Sequence, residues 1–377
     1  MSKKANTAIN CDVLILGAGI NGTGIALELS KTGEKVVVLE RSTIGSGTSS
    51  KSSRLIHGGL RYLEQFQFKL VREALLDRQE LLQTYPDLVK MKIFYLPVYR
   101  SNPRSAWTIW VGLKLYDLLA GKHNSHKSSI VPRETFTTRE PHLMPEGLRA
   151  VFQYHDAKTN DLELTRRIAR EARRNNARFF EHINVNTISH DRKQFTVITD
   201  QGSFRAPTLI NATGPWIDEV NDRYELPAHY HIRKISGIHI ILDGLLTQDF
   251  MFMQTHGKRI FFIIPEHENN HTLIGTTERE ETGPVDTVRV KDEDIQYLIN
   301  NINVYLKPEY HLTLNDVADA FIGVRPLVAH KDTPTDLSRE YKLDLIQFGS
   351  ARLLHVFGGK LTTFLSLSRK VNRLLHQ

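Results

Sequence analysis

One cysteine, Cys11, in 377 residues excludes an intrachain disulfide and any multi-cysteine zinc or iron-sulfur site. It reads as a small core residue at the start of a strand. No stretch approaches the roughly 18 apolar residues that span a bilayer, and Met1-Ser2-Lys3-Lys4-Ala5-Asn6 leads into no signal-type apolar segment, so the expected location is the cytoplasm. The 17 histidines form no HExxH pair, and His229 and His231 lie in an apolar-aromatic run that suits a strand or loop better than a metal site. No metal is expected. Acidic residues are outnumbered, giving a net charge of +7 and a pI near 9.3, which favours anionic partners. No RNP or zinc-finger pattern is present, so nucleic acid is not expected among them. Phosphorylated metabolites and an anionic membrane surface remain.

The composition, 40% hydrophobic and 24% charged, is that of a globular chain with a packed core, and the length allows two domains. Asp12-Val13-Leu14-Ile15-Leu16 is a buried-type strand that runs into Gly17-Ala18-Gly19-Ile20-Asn21-Gly22. A helix follows through Ile25–Lys31, Gly33 stops it, and Lys35–Leu39 makes a second strand ending at Glu40. Strand, glycine turn, helix, strand and terminal acid fall at the spacing of a dinucleotide-binding unit. Gly17, Gly19 and Gly22 allow a pyrophosphate close to the backbone at a helix N-terminus, and Glu40 suits a ribose hydroxyl while repelling the extra phosphate of NADP. Further along, periodicity predicts helices over 66–85, 162–177 and 292–306, and strands over 195–199, 208–212, 235–242, 260–264 and 272–276. The stretch 97–129 reads as irregular and aromatic.

Thr208–Trp216, a buried strand entering a Gly-Pro turn, resembles the second FAD-contacting strand of flavoenzymes related to D-amino-acid oxidase. The segment Gly47-Thr48-Ser49-Ser50-Lys51-Ser52-Ser53-Arg54-Leu55-Ile56-His57-Gly58-Gly59-Leu60-Arg61-Tyr62-Leu63-Glu64 resembles the signature of the FAD-dependent glycerol-3-phosphate dehydrogenases. So do, in order, Asn211–Trp216, Ile274–Glu278, Gly323–Leu327, Ser338–Tyr341 and Val356–Thr363. The resemblance covers nearly the whole chain and implies non-covalent FAD. It also implies an α/β fold, with a Rossmann-like FAD-binding domain and an inserted substrate domain built on an antiparallel sheet. The expected division gives residues 1–90, 150–222 and 320–377 to the FAD domain and 91–149 and 223–319 to the substrate domain. The family usually continues with a helical C-terminal domain, which the resemblance does not reach within this sequence and which is therefore not expected in it.

The implied reaction is oxidation of sn-glycerol 3-phosphate to dihydroxyacetone phosphate, with electrons passed from FAD to a membrane quinone. An oxidase using oxygen and a flavin-binding protein without turnover are the alternatives. The FAD contacts implied are Gly17, Gly19, Gly22, Glu40, Thr48, Ser49, Ser50, His57, Gly58, Gly59, Ala212, Thr213, Gly214, Gly358, Gly359, Lys360, Leu361 and Thr362. A phosphate dianion needs fixed cationic donors, and Arg61, Arg325 and Lys360 are the candidates, with Tyr62 and Arg339 beside them. The base for the carbon-2 hydroxyl is His239 or His57. The family usually has Lys-Gly-Ser-His where this chain has Ser236-Gly237-Ile238-His239. A helix over 361–375 is expected to aim its positive end at the flavin ring. Arg100–Tyr116, basic and rich in Trp and Tyr, suits either a lipid interface or a packed helix, leaving open a peripheral place on the inner face of the cell membrane. The exposed-type arginines Arg166, Arg167, Arg170, Arg173 and Arg174 read as a solvated helix face. A homodimer is compatible with the sequence.

Overall fold

The computed structural model describes residues 8–121, 126–255, 257, 259–330, 333–338 and 340–377. Arg339, expected near the substrate, lies outside the described residues.

The dinucleotide unit forms the centre of a six-stranded sheet. Val13–Leu16 pairs in parallel with Val36–Leu39 on one side and with Thr208–Asn211 on the other, and Thr208–Asn211 pairs in parallel with Ala351–Phe357. Arg178–Phe180 and Lys342–Phe348 complete the two edges, the latter antiparallel. These central strands are apolar at nearly every position because both faces are covered. Val13, Ile15, Val36, Val38 and Leu354 enter a core with the helices Ile20–Lys31, Asp161–Arg174 and Phe364–Leu375. The alternate residues Leu14, Leu16, Val37, Leu39 and Leu353 enter a second core with Phe195, Val197 and Phe204 of a four-stranded sheet.

The remaining strands build one large mixed sheet. Its order is Thr333–Ser338, Val317–His330, Tyr230–Asp243, His271–Gly275, Ile260–Glu266, Phe250–Gln254, Lys90–Tyr99, Leu148–Lys158 and Leu55–Ile56. One face packs on Phe68–Thr84 and Ala106–Ala120 through residues such as Phe94, Phe252 and Phe262, and the other on Asp292–Asn303 through Ile238, Met253 and Ile274. The sheet takes in Leu55–Ile56, Leu148–Lys158 and Val317–His330, strands that fall wholly or mostly within the ranges expected for the FAD domain. A strand's sheet is decided by pairing partners distant in sequence, and local patterning carries no record of them.

Two elements differ from expectation for local reasons. Inside 97–129 runs a 15-residue helix, Ala106–Ala120, whose N-cap Ser105 accepts a hydrogen bond from the Thr108 amide at 3.1 Å. Ile109, Leu113, Tyr116 and Ala120 form its buried stripe, but the exposed apolar residues Trp107, Val111 and Leu118 on other faces mask the period. The last helix begins at Phe364 instead of Leu361, after two glycines of positive φ, Gly358 and Gly359. No helix among the described residues is long and apolar enough to cross a membrane.

Candidate active site

The two large sheets meet along a cleft of about 1010 Å³, with the glycine turn at one side and the large sheet at the other. Gly17 follows the first strand with φ +96, and its carbonyl faces the helix so closely that a Cβ on Gly22 would sit 2.0 Å from it. Only glycine lets the helix start this near the strand. At that start Ser49 Oγ accepts from the Ile20 amide at 2.9 Å, tying the signature segment to the turn. The Glu40 carboxylate lines the cleft and accepts from the Ala18 amide at 2.7 Å and the Ser42 amide at 2.8 Å, which fixes its orientation while each oxygen keeps a further lone pair.

From the other direction come Ala212, Thr213, Gly214 and the segment Gly358–Thr362, all on the cleft wall. Asn21 Nδ2 donates to the Gly358 carbonyl at 3.1 Å, and Thr362 Oγ1 accepts from the His57 amide at 3.2 Å, so three remote segments are stitched together. The Asn21 Oδ1 is buried without a hydrogen-bond partner, a polar atom left available at the glycine turn. A glycine turn at a helix start, a carboxylate beyond it and an elongated cleft fit an extended dinucleotide.

The structure brings most of the expected residues to this cleft: Gly17, Gly19, Glu40, Thr48, Ser49, His57, Gly59, Arg61, Tyr62, His239 and Arg325 line it together with the segments just named. Gly22, Ser50 and Gly58 stand behind the wall. Gly22 makes room for the Gly17 carbonyl, Ser50 Oγ donates to the Ser46 and Gly47 carbonyls at 3.2 and 3.1 Å, and the Gly58 amide donates to Tyr116 Oη at 2.7 Å. Tyr116 Oη in turn donates to Asp156 at 2.8 Å, and Asp156 pairs with the buried Arg78.

Where the large sheet meets the signature segment, the cleft becomes cationic. Arg61 and Arg325 are partly buried and share Glu278, at 3.5 and 3.7 Å. Arg325 Nη2 donates to Thr276 Oγ1 and to the Thr277 carbonyl, so its fork is held in place. The Lys360 ammonium sits 3.7 Å from the Tyr62 ring centroid, a cation-π contact that positions both.

His239 lies at 3% exposure beside them, its ring stacked on Phe321 at 4.9 Å and its Nε2 2.8 Å from Ser53 Oγ. Burial, then the charges of Arg325 and Arg54, pull its pKa down to about 3, so the imidazole is held neutral. The His57 ring lies 6.2 Å from the Phe262 ring. Geometry therefore gives a neutral base, a pair of guanidinium groups and a dinucleotide cradle in one cleft. Sequence reasoning missed Glu278 and Ser53 as working residues. Both sat inside the quoted motifs, but nothing local marks which motif residue reaches which partner.

Residues 12–364 match the family described as FAD dependent oxidoreductase. The chain is 36% identical over 378 residues to D-erythritol 1-phosphate dehydrogenase of Brucella abortus (strain 2308), covering 97% of this chain and 74% of that protein. It is 38% identical over 377 residues to aerobic glycerol-3-phosphate dehydrogenase of Escherichia coli (strain K12), covering 95% and 72%. Its fold resembles that of glycerol-3-phosphate dehydrogenase from Bacillus halodurans complexed with FAD, with a TM-score of 0.76 and 22% identity. That likeness covers 98% of this chain and 65% of the Bacillus chain, so the present chain spans under two thirds of that structure's length.

Proposed function

Because the chain belongs to the family of FAD-dependent oxidoreductases, we propose that it oxidises sn-glycerol 3-phosphate to dihydroxyacetone phosphate and passes the electrons to a membrane quinone. One observation carries the substrate reading: Arg61 and Arg325, from distant segments, face one cleft together with the neutral His239. Two guanidinium groups with Lys360 nearby match a phosphomonoester dianion, which an uncharged polyol cannot exploit. The glycine turn, Glu40 and the segment Gly358–Thr362 would hold FAD, which would supply a hydride acceptor for carbon 2 of the substrate. His239 takes the proton from the carbon-2 hydroxyl, and Ser53, at 2.8 Å from its Nε2, orients the ring. Thr276 and the Thr277 carbonyl hold Arg325 so that the substrate is fixed by its phosphate end.

The match to an erythritol phosphate dehydrogenase favours a second reading, in which the polyol is one carbon longer and the phosphate and base contacts are the same. Anaerobic mixing of the flavin-loaded protein with sn-glycerol 3-phosphate, D-erythritol 1-phosphate, glycerol and a D-amino acid separates them. The first should bleach the flavin fastest. Bleaching by the tetritol phosphate alone supports the second reading, and equal bleaching by glycerol removes the role of the arginines. Peroxide yield against reduction of a soluble quinone distinguishes quinone from oxygen as acceptor. A peripheral membrane position is supported by Trp107, Val111 and Leu118, exposed on the helix Ala106–Ala120, and by the exposed Arg100 nearby. Co-sedimentation with anionic but not neutral vesicles, lost on replacing Trp107 and Leu118 by Ser, tests it.

A further inference from the structure

Just past Glu40 two layers of the molecule are fastened together across the cleft. Arg41 follows the strand Val36–Leu39, and Trp216 ends the turn that follows Thr208–Asn211, so both belong to the sheet of the glycine turn, and both line the cleft. Asp286 comes from the other side, in the loop between Arg279–Glu281, which pairs with Tyr230–Asp243 of the large sheet, and the helix Asp292–Asn303. Arg41 Nη1 donates to Asp286 Oδ2 at 2.8 Å and Nη2 to Oδ1 at 2.9 Å, a two-armed pair, and Trp216 Nε1 donates to Oδ1 at 2.9 Å. The Arg41 guanidinium also stands 5.1 Å from the Trp216 ring, and that ring covers Gly47 so closely that a Cβ there would lie 3.1 Å from Cζ3. Next to Asp286, the buried Val285 donates its amide to Glu219 Oε1 at 3.0 Å, on the helix that Trp216 leads into. The loop itself is braced, because Thr287 Oγ1 donates to the Pro284 carbonyl and Arg289 Nη1 to the Asp286 carbonyl, both at 2.7 Å.

This fastening sits at the end of the cleft where Glu40 is oriented for a ribose hydroxyl, so the adenosine half of FAD is the part it would adjoin. Its strength is limited, because the side chains of Arg41 and Asp286 are 55% and 54% exposed and a pair so open to solvent is screened by salt. A contact of that kind does little for the fold, but it is placed to decide how long the two layers stay closed on a bound molecule. We infer that Asp286 is a latch for the cofactor: by holding Arg41 and Trp216 it closes the large-sheet loop over the adenosine end of the cleft, and release of FAD passes through opening of this contact. The inference rests on FAD as the cofactor, which the family supplies, and is independent of which phosphorylated polyol is oxidised.

The test is the rate of FAD release from the flavin-loaded protein on dilution, followed by the rise of free-flavin fluorescence. Asp286→Ala should release FAD about two- to fivefold faster than the native protein, the range that an exposed ion pair supports. Asp286→Asn, which keeps an oxygen for Trp216 but no charge for Arg41, should fall between them. Raising salt from about 0.05 to 1 M should speed native release toward the Asp286→Ala rate and barely move that variant, a response that a purely structural residue would not give. Arg41→Ala should speed release as Asp286→Ala does, and the double variant should add little to either. Glu163→Gln, which breaks the exposed pair with Arg166 on Asp161–Arg174, should release FAD at the native rate. Release at the native rate in Asp286→Ala overturns the inference, and so do additive effects in the double variant. A lower melting temperature of the flavin-free protein in both Asp286 variants overturns it as well, since the residue then supports the fold and not the closure.

Discussion

Replacing Gly237 by Ala should damage substrate recognition without touching the flavin, because the added Cβ would lie 2.1 Å from Arg325 Nη2, 2.4 Å from Thr276 Oγ1 and 2.8 Å from the Thr277 carbonyl. No side chain can be accommodated there unless the guanidinium moves. The displaced arginine loses its bonds to Thr276 and Thr277 and its alignment toward the substrate. One charge-assisted hydrogen bond contributes about 1.5 to 3 kcal/mol, so kcat/KM for sn-glycerol 3-phosphate should fall by about 10- to 150-fold. Arg325→Ala should fall by at least as much, and Arg325→Lys should recover only part, since an ammonium lacks the planar fork. Steady-state kinetics on the two single variants and their combination close a double-mutant cycle. If Gly237→Ala acts by moving Arg325, it adds almost nothing once Arg325 is already Ala. Fully additive losses, or a drop in flavin content that tracks the drop in rate, would refute the reasoning. Arg170→Ala, on the exposed face of Asp161–Arg174, is the control and should stay within about twofold.

Gly22→Ala should yield protein with little flavin, seen as a low ratio of visible to ultraviolet absorbance, because its Cβ would press on the Gly17 carbonyl. His239 should add no limb near pH 6.5 to the kcat/KM profile, since its pKa is pulled down to about 3. The same depression has a stability consequence. As pH falls, the unfolded chain takes up this proton first, so the contribution of His239 is intact above its unfolded value and is lost between pH 6.5 and about 3; thermal melts of His239→Gln should be less steep in that window. Asp156→Asn strips the buried Arg78 of its partner and should cost about 3 to 5 kcal/mol, lowering the melting temperature by about 5 °C or more.

The dinucleotide unit was readable in the sequence because its signals are local. Gly17, Gly22 and Glu40 act on neighbours within one strand, helix and strand. The strands over 195–199 and 260–264 were likewise visible through their apolar pattern, and the observed Phe195–Thr199 and Ile260–Glu266 begin where expected. The pairing of Val317–His330 with Tyr230–Asp243 was not visible, and with it went the placement of Arg325 beside Gly237 and Thr276. Ser53 and Glu278 stayed hidden for the same reason, since a serine or a glutamate declares its role only through the partner it meets.

The sheet that carries the glycine turn joins Val13–Leu16, Thr208–Asn211 and Ala351–Phe357 side by side, from the beginning, middle and end of the chain. Its centre is therefore of high contact order, and two long chain closures precede the contacts that reward them. During synthesis the wall that includes Gly358–Thr362 emerges well after the glycine turn and Thr208–Asn211, so flavin capture waits until the chain has been made at least as far as Thr362. Until that last strand docks, Thr208–Asn211 exposes an unpaired edge, and that interval is when the protein is most open to misassembly.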